Sequence, residues 1–299
     1  MNYTIHQLKI FLKVLETKSI TRASEELFMT QPAVSIQLKN FQDQFDIPLT
    51  EIVGRRLYVT DFGKEIGVIV EKTLDQLEEI NYKTLEYKGL LTGRLKISAA
   101  STGKYVIPYF LSKFLELYPG VDLLLDVTNK SQVLASIRNN EVDFALVSVV
   151  PDDIDVKEER LLENKLYLIG NQPKFDKNKP LIYREKGSAT RAEMERYFSE
   201  TSSKTRKKLE LTSNEAVKQA VIAGLGYSIL PIIGIKDEII DKRLFILPKK
   251  NLPLKTDWRL IYNSTKKLSP VARAYLAFIR EEKKDILQTY FKWYEDFEG

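Results

Sequence analysis

Two short helical patterns separated by only three residues are the feature that most limits how this chain folds. The first, "RASEELF", places Ala23 and Leu27 on one face, and the second starts near Thr30. Thr21 and Thr30 stand where N-cap residues accept a hydrogen bond from the first turn of a helix. Two helices joined by so tight a turn predict a helix-turn-helix.

The second of these helices, "TQPAVSIQLKNF", carries an apolar residue on an unexpected side. At about 100° per residue, Val34, Leu38 and Phe41 fall within one narrow stripe. The stripe is expected to be buried against the other helices. Ile36 falls on the opposite face, which is therefore expected to point outward toward a partner.

Flanking patterns complete the N-terminal module. A longer amphipathic helix, "YTIHQLKIFLKVLETKS", precedes the two short ones, and Pro32 is tolerated in the first turn of the third helix. Farther along, "EIVGRRLYVT" alternates apolar and polar residues around Gly54, which is typical of a two-stranded wing. Residues 1–60 are therefore predicted to form a winged helix-turn-helix.

From about residue 60 to residue 89 the sequence contains no proline and predicts one long helix. Such a helix spans roughly 45 Å, which is too long to be buried within one small domain. A solvated connector is one interpretation, but the sustained apolar stripe favours pairing with a second helix. Residues 61–90 are accordingly interpreted as a linker and dimerisation helix. The expected interface residues are Ile66, Ile69, Val70, Leu77 and Ile80.

The pattern changes at "LLTGRL", where Gly89 and Gly93 end the helix. Short apolar strands then alternate with amphipathic helices, which predicts an α/β domain with a parallel sheet and helices on both sides. Two lobes are expected within residues 91–299, lobe I at about 91–162 and 265–299 and lobe II at about 163–264. The strand patterns are "LKISAA", "VDLLLDV", "VDFALVSVV", "LYLIGN", "PLIYR", "YSILP" and "LFILP".

Composition excludes several kinds of active site. The 299 residues include no cysteine, so disulfides and thiolate nucleophiles are excluded. The single histidine, His6, lies in an amphipathic helix, where a structural or surface role is expected. Zinc sites built from His and Cys are excluded, and Ser-His-Asp catalysis would have to use His6. No cofactor is expected.

Hydropathy and charge give two further expectations. No stretch approaches the roughly 18 apolar residues of a membrane span, and the N-terminus lacks the apolar segment of a signal peptide, so a cytoplasmic protein is expected. The net charge is +5, yet residues 1–91 hold 11 Lys and Arg against 13 Asp and Glu, a net −2. The remainder holds 35 against 28, a net +7. A case for DNA binding therefore depends on local geometry and not on overall charge.

The order of these parts, with "SITRASEELFMTQPAVSIQLKNF" and "GRRLYVTDFGKEI", resembles the LysR-type transcriptional regulators. The resemblance covers essentially the whole chain, and the N-terminal motif matches in both residue types and spacing. It implies a winged helix-turn-helix, a linker helix and a two-lobed α/β effector domain similar to periplasmic binding proteins. It also implies a homodimer or homotetramer, with RNA polymerase as a further partner.

This resemblance implies that the third helix lies in the major groove of double-stranded operator DNA. Many family members carry arginine where this chain has Ile36, so an arginine contact to guanine cannot form here. Ile36 would instead meet a thymine methyl group or change the sequence preference. The alternative is that Ile36 is simply an exposed apolar residue. The groove-facing candidates are Gln31, Pro32, Ser35, Ile36 and Lys39.

Phosphate contacts are expected from the wing tip and from helix N-termini, where amides and hydroxyls meet phosphate oxygens. The chain departs from the family pattern at "PLTEIVGRR", which has Thr50 and Glu51 where the family commonly has Phe and an acid followed by arginine. Packing beneath the wing is therefore expected to differ. The phosphate-contact candidates are Thr21, Arg22, Thr30, Arg55 and Arg56.

Polar residues follow several of the predicted strands. In open α/β sheets ligands bind outside the carboxyl ends of strands, and between two such lobes they bind in the cleft. "STGK" follows the first strand, where a helix N-terminus would attract an anion. Ordinary helix capping is the alternative role for such side chains. The candidate effector contacts are Ser101, Thr102, Gly103, Asn129, Ser148, Glu185, Ser188, Thr190, Arg191, Thr212, Ser213 and Asn214.

Two segments of lobe II, "REKGSATR" and "SNEAVKQAVIAGLG", are similar to segments of the family branch that controls carbon-fixation genes. That similarity implies a small phosphorylated or otherwise anionic metabolite as effector. Arg184, Lys186 and Arg191 would suit such an anion. An organic acid, an amino acid or an inorganic oxyanion fits the same chemistry, so the identity of the effector stays open.

Three classes of function remain from the sequence. A regulator needs a working helix-turn-helix, a solute-binding protein needs export, and an enzyme needs an acid-base pair or a nucleophile. The missing signal segment argues against export, and no carboxylates form a recognisable catalytic pair or metal motif. The sequence therefore favours a regulator that is not an enzyme. The alternative is a cytoplasmic small-molecule binding protein or enzyme with a vestigial helix-turn-helix.

Overall fold

Two structural units follow one another along the chain, Met1–Leu90 (unit 1) and Leu91–Gly299 (unit 2). The computed structural model describes residues 2–54, 56–86, 90–200 and 206–297, without the side chains of residues 79, 81–86 and 200. The helices are α1 (Ile5–Thr17), α2 (Ile20–Glu26), α3 (Gln31–Gln42), α4 (Asp61–Glu86), α5 (Ile107–Leu117), α6 (Lys130–Arg138), α7 (Ala189–Glu200), α8 (Asn214–Ile222), α9 (Lys236–Ile240), α10 (Pro270–Tyr290) and α11 (Lys292–Glu295). The strands are β1 (Thr50–Val53), β2 (Arg56–Val59), β3 (Gly93–Ala100), β4 (Val121–Thr128), β5 (Phe144–Val147), β6 (Val156–Gly170), β7 (Leu181–Arg184), β8 (Lys208–Leu211), β9 (Ser228–Pro231), β10 (Phe245–Ile246) and β11 (Leu254–Asn263).

The helix-turn-helix is formed by α2 and α3. The Ser19 side chain caps α2 by accepting a hydrogen bond from the backbone NH of Arg22 at 3.3 Å. The prediction that Thr21 caps this helix is therefore wrong, because the helix has already begun at that residue. Thr30 caps α3, as predicted, by accepting a hydrogen bond from the backbone NH of Ala33 at 3.4 Å.

The amphipathic pattern of α3 decides which of its faces is buried. Val34 and Phe41 are 0 % and 1 % exposed in a core that also contains residues of α1 and α2. The side chain of Ile36 is 57 % exposed on the other face of the helix. Pro32, Ser35 and Lys39 are also exposed on that face, and Gln31 is exposed at the start of the helix.

The wing consists of β1 and β2, which pair antiparallel around Gly54, whose φ is +65°. Thr50 is buried at the start of β1, where its backbone NH and its hydroxyl donate to Oε1 of Gln42 at 3.0 and 2.8 Å. A hydrogen-bonded polar pair thus joins the wing to α3 at the position where the family commonly has Phe. Arg55 lies outside the described residues, and Arg56 is exposed.

The first half of α4 packs against α1. A Cβ at Gly67 would lie 2.4 Å from Cδ2 of Leu15, so glycine permits an approach that alanine would allow only if Leu15 moved. Val70 is 5 % exposed in the core of the helix-turn-helix, and Ile66 packs against that core. This corrects the prediction that Ile66 and Val70 line a dimer interface, because their side of α4 is covered by residues of the same unit.

Other apolar residues of α4 remain accessible. Ile69 and Ile80 are 59 % and 62 % exposed, and Leu77 is half-buried. At about 100° per residue, Ile69 and Ile80 fall within about 20° of each other on one side of the helix, whereas Leu77, seven residues after Val70, falls about 20° from Val70. Of the predicted interface residues, Ile69, Leu77 and Ile80 are the ones left accessible, and their pairing with a second chain stays a prediction.

Unit 2 contains a mixed seven-stranded sheet and not the parallel sheet that was predicted. The strand order is β10-β6-β11-β5-β3-β4, with β9 also paired to β6. β3 pairs parallel with β4 and β5, whereas every pairing of β6 and β11 is antiparallel. The sequence did not predict β11 or the first half of β6, because "LKTDWRLIYN" and "VKEERLLENK" intersperse charged residues among their apolar ones.

The long strands β6 and β11 connect the two lobes of unit 2. β11 pairs with β5 in lobe I, which also contains β3 and β4, whereas β6 pairs with β9 and β10 in lobe II. Between these regions, the pairing of β6 with β11 shifts register at Trp258 and Arg259. A parallel pair, β7 and β8, completes lobe II. The lobes are therefore joined through two neighbouring strands.

The C-terminal helices contact both lobes. α10 packs against α5 and β3 of lobe I. Beyond it, Nζ of Lys165 on β6 donates to the carbonyl oxygens of Tyr294, Glu295 and Phe297 at 3.1, 3.2 and 3.0 Å. A lysine thus satisfies carbonyl groups that the end of a helix leaves without intrahelical partners.

Candidate functional site

The carboxyl ends of three neighbouring strands bring polar residues together in lobe I. β3 lies between β4 and β5, and all three strands run parallel. Thr102 follows β3, Asn129 follows β4 and Ser148 follows β5, so all three residues lie at one edge of the sheet. Thr102 and Ser148 are 6 % and 9 % exposed. Ligands of open α/β sheets bind at this kind of edge.

The segment after β3 differs from the expected helix N-terminus. It forms a single 3₁₀ turn, Ser101–Tyr105, and α5 begins only at Ile107. Gly103 is buried within this turn, where a Cβ would lie 2.8 Å from Cδ2 of Leu146. The Thr102 hydroxyl has no hydrogen-bond partner among the described residues. Gly103 therefore serves packing, while Thr102 has a hydroxyl to offer to a ligand.

Arg184 is the charged group at the contact between the lobes. It ends β7 in lobe II and is 3 % exposed. Its Nε and Nη2 donate to the two carboxylate oxygens of Glu185, both at 2.8 Å. Nη2 also donates to Oγ of Ser101 in lobe I at 3.2 Å, and Nη1 donates to Oδ1 of Asn214. One buried guanidinium therefore contacts residues of both lobes.

Two further contacts join the lobes nearby. Nδ2 of Asn214 donates to Oγ of Ser101 at 3.4 Å. Gly187 has a φ of +87°, and a Cβ at this residue would lie 2.6 Å from Oγ of Ser131 and 3.7 Å from Oδ1 of Asn129. The left-handed turn at Gly187 thus brings the backbone of lobe II against the start of α6 in lobe I.

Three of the predicted effector residues cap helices, which was the alternative role. Asn129 accepts from the backbone NH of Gln132 at 3.1 Å, and Ser213 accepts from that of Ala216 at 3.0 Å. Ser188 accepts from the backbone NH of Arg191 at 3.4 Å. Their role as effector contacts stays a prediction, because a capping oxygen retains a second lone pair.

Arg191 faces carboxylates and not the contact between the lobes, contrary to the prediction. Its Nε donates to Glu195 at 2.8 Å, and its Nη1 donates to Glu210 and to the backbone oxygen of Arg184. The hydrogen bond to Glu210 is the main cause that raises the pKa of Arg191 above its usual value. Arg191 therefore supports the backbone of Arg184.

The remaining predicted residues of lobe II divide by burial. Thr190 is buried at the start of α7, whereas Thr212 and Lys186 are exposed. Arg184 was expected only as a charge that suits an anion. Its position directly after the strand pattern "PLIYR" is the signal that would have placed it in the site.

A cavity of about 430 Å³ lies elsewhere in unit 2, and none of the predicted effector residues lines it. Its walls come from β6 and the C-terminal helices, including Arg160, Lys165, Lys283 and Tyr294. Within the described ranges, no group of three or more His, Asp or Glu residues could hold a metal ion. Among the described residues of the whole chain, none of the helices is long and apolar enough to cross a membrane.

The candidate DNA-binding surface of unit 1 is exposed. The residues predicted for it that the structure exposes are Thr21, Arg22, Thr30, Gln31, Pro32, Ser35, Ile36, Lys39 and Arg56. Sequence reasoning did not consider Phe28, which lies in the turn between α2 and α3. It is 97 % exposed at a φ of +53°, a conformation that favours glycine or asparagine. An aromatic side chain therefore projects beside the start of α3.

Comparison with known protein families covers both units. The family model described as "Bacterial regulatory helix-turn-helix protein, lysR family" matches residues 5–64. The model described as "LysR substrate binding domain" matches residues 88–284. The second match includes β3 through most of α10, and therefore both lobes.

Individual relatives match over nearly their whole length. The HTH-type transcriptional activator CmpR of Synechocystis sp. is 37 % identical over 305 residues, covering 97 % of this chain and 99 % of the relative. The RuBisCO operon transcriptional regulator of Allochromatium vinosum is 34 % identical over 293 residues, covering 94 % and 97 %. Among solved structures, the CcmR regulatory domain of Synechocystis PCC6803 in complex with 2-PG is 33 % identical with a TM-score of 0.59, covering 65 % of this chain and 99 % of that domain.

Proposed function

The chain belongs to the LysR family of transcriptional regulators, and its similar relatives include carbon-fixation regulators, so we propose that a small anionic metabolite controls its binding to operator DNA. The metabolite binds between lobes I and II. The observation that carries this proposal is the contact of buried Arg184 with Ser101, because it joins the two lobes at the strand edge where ligands bind. An anion that binds there changes the contacts on which closure of the lobes depends.

The chemistry of the cleft favours an anion. Arg184 supplies a fixed guanidinium, the Thr102 hydroxyl is available as a donor, and Asn129 and Ser148 lie at the same edge. A phosphate or carboxylate can accept hydrogen bonds from these groups. The complex of the CcmR domain with 2-PG (2-phosphoglycolate) makes that compound the first probe to use with this chain.

Thr102→Val is expected to weaken 2-phosphoglycolate binding about ten-fold or more, because it removes one hydrogen bond to a charged group, worth about 1.5 to 3 kcal/mol, and preserves side-chain shape. Calorimetric titration of the full chain measures this affinity. Thermal unfolding without ligand should change little. A lower melting temperature with unchanged affinity would remove Thr102 from the site.

The DNA-binding half of the proposal is carried by α3. Its outward face combines polar side chains, which can reach base edges, with Ile36, which suits a thymine methyl group. Arg56 at the wing is exposed and positioned for a phosphate contact. The two kinds of contact predict different mutational effects.

Ile36→Ala is expected to change discrimination at particular base pairs by roughly 1 to 3 kcal/mol, because it removes an apolar contact to base edges. Binding to a library of operator variants measures this profile. Arg56→Ala is the matched comparison. It should weaken binding to every sequence and reduce the slope of log affinity against log salt concentration by about one. An unchanged specificity profile for Ile36→Ala would contradict the assignment of the outward face.

We further propose that two chains pair through Ile69, Leu77 and Ile80 of α4 and that dimers associate into tetramers. In this proposal the protein acts in the cytoplasm, signals to RNA polymerase, needs no cofactor and catalyses no reaction.

A gel-shift experiment with DNA from upstream of its own gene tests the proposed regulatory function, because neither a solute-binding protein nor an enzyme would shift that DNA. Thermal shift of the full chain with 2-phosphoglycolate and other anions tests the effector, because a ligand that prefers the folded state raises the melting temperature.

A further inference from the structure

We infer that lobe II carries a second DNA contact, which binds the phosphate backbone beside the operator without reading its sequence. The inference rests on the proposed DNA-binding function and adds a surface that lies outside the helix-turn-helix. We call this surface the basic patch. Its residues are Lys174, Lys177, Arg206, Lys207, Lys249 and Lys250.

The ring of Phe175 brings three separate segments of the chain together in this patch. The guanidinium of Arg206 lies 4.5 Å from the ring centroid, and Nζ of Lys249 lies 4.2 Å from it. Phe175 packs in turn against Tyr227, at 4.8 Å between centroids, and the Tyr227 hydroxyl accepts a hydrogen bond from the backbone NH of Asp176 at 2.8 Å. Two cations are therefore held on one aromatic ring that is itself anchored to the core of lobe II.

Among the described residues, the positive charge of the patch has no ion-pair partner. All five lysines are exposed, and none of the six cations forms an ion pair with a residue that the structure describes. Asp176 is the one carboxylate among residues 172–180, 206–208 and 248–252, and its Oδ1 already accepts from the backbone NH of Asn178 at 2.8 Å. Elsewhere in unit 2, cations such as Lys113 and Arg138 pair with carboxylates. A concentrated positive surface of this kind attracts a polyanion.

Composition favours nucleic acid over an acidic protein as the occupant. Five of the six cations are lysine, and lysine is depleted in protein–protein interfaces, where arginine and aromatic residues predominate. Lysine is a strongly hydrated point charge, which suits phosphate oxygens that are contacted through solvent. Residues 1–91 carry a net charge of −2 and the remainder +7, so long-range attraction to DNA has to come mainly from unit 2.

The test compares two DNA lengths with the full chain. One duplex is just long enough for the two half-sites of a dimer, about 20 base pairs, and the other extends the same upstream sequence well beyond them. The patch variant carries Lys174→Gln, Lys207→Gln, Lys249→Gln and Lys250→Gln. The control variant makes the same change of charge at exposed lysines outside the patch, with Lys157→Gln, Lys267→Gln, Lys284→Gln and Lys292→Gln. Affinity is measured against salt concentration, and melting temperature confirms that each variant folds.

On the long duplex, the patch variant should lose about ten-fold in affinity. The slope of log affinity against log salt concentration should become shallower by about two or more, because each phosphate contact contributes about 0.9 to that slope. On the short duplex it should match the original chain, and the control variant should match it on both. An unchanged salt dependence on the long duplex, or an equal loss in the control, would overturn the inference. If activation by RNA polymerase were lost while DNA binding stayed intact, an acidic protein would be the occupant and the inference would again be wrong. Failure of the original chain to bind either duplex would instead contradict the proposed function itself.

Discussion

Replacing Arg184 with Met is expected to lower the free energy of unfolding of unit 2 by about 3 kcal/mol, because it leaves the Glu185 carboxylate and the Asn214 amide without their shared donor. Because Glu185 is partly exposed, we expect a loss of stability near the lower end of the range for removing one member of a buried ion pair. Urea unfolding of the full chain, followed by a signal from unit 2, measures it. The same variant should lose the thermal stabilisation by 2-phosphoglycolate, because the charge that attracts the anion is gone.

The double variant Arg184→Met, Glu185→Leu is the control for this prediction. Removing both members of a buried ion pair leaves no isolated charge, so it is expected to be less destabilising than removing Arg184 alone. It should still fail to respond to 2-phosphoglycolate. If the double variant were as unstable as the sum of its two single variants, the pair would not be energetically coupled. A normal response of Arg184→Met to the anion would exclude Arg184 from the effector site.

Ile69→Asp is expected to convert the dimer into monomers. An unpaired carboxylate in an apolar interface costs several kcal/mol, and about 4 kcal/mol corresponds to a thousand-fold weaker association. Ile69 is 59 % exposed within its own chain, so the fold of unit 1 should be retained. Sedimentation equilibrium measures the association, and circular dichroism checks the fold.

Substitutions at two neighbouring positions serve as controls for this experiment. Glu71→Lys changes charge on the side of α4 opposite Ile69 and should leave the dimer intact. Val70→Asp buries a charge in the core of the helix-turn-helix and should unfold unit 1, not merely separate the chains. An intact dimer with Ile69→Asp would show that the chains associate through unit 2.

Local sequence patterns predicted unit 1 well because its elements are set by neighbours in the chain. Period, caps and turn length were enough to predict α3, its Thr30 cap and the wing. The period of α4 could not decide which of its sides is covered within unit 1. Ile69 and Val70 are adjacent in sequence but about 100° apart around the helix, and only the packing of α1 distinguishes them.

Unit 2 shows where local patterns stop being informative. The lobe I part of the site followed from the strand-end rule, because β4, β3 and β5 are parallel neighbours. The pairing of β6 with β11 joins segments separated by roughly 100 residues, for example Arg160 with Arg259. Tertiary contacts also decide which polar side chains already form hydrogen bonds or ion pairs within the protein. Arg191 would suit an anion by its chemistry, but it pairs with Glu195 and Glu210 of lobe II, whereas Arg184 is the arginine that also contacts Ser101 of lobe I.

The close packing of Gly67 against Leu15 has a consequence for operator geometry. Because α4 lies so tightly on α1, the pairing helix and α3 turn together as one rigid piece. In a dimer, the separation of the two α3 helices is then set by how the two α4 helices cross. One inserted base pair between half-sites rotates the second half-site by about 34° around the duplex, since DNA repeats every 10 to 10.5 base pairs. Spacer length should therefore be as strongly selected in operators of this protein as the bases that α3 contacts.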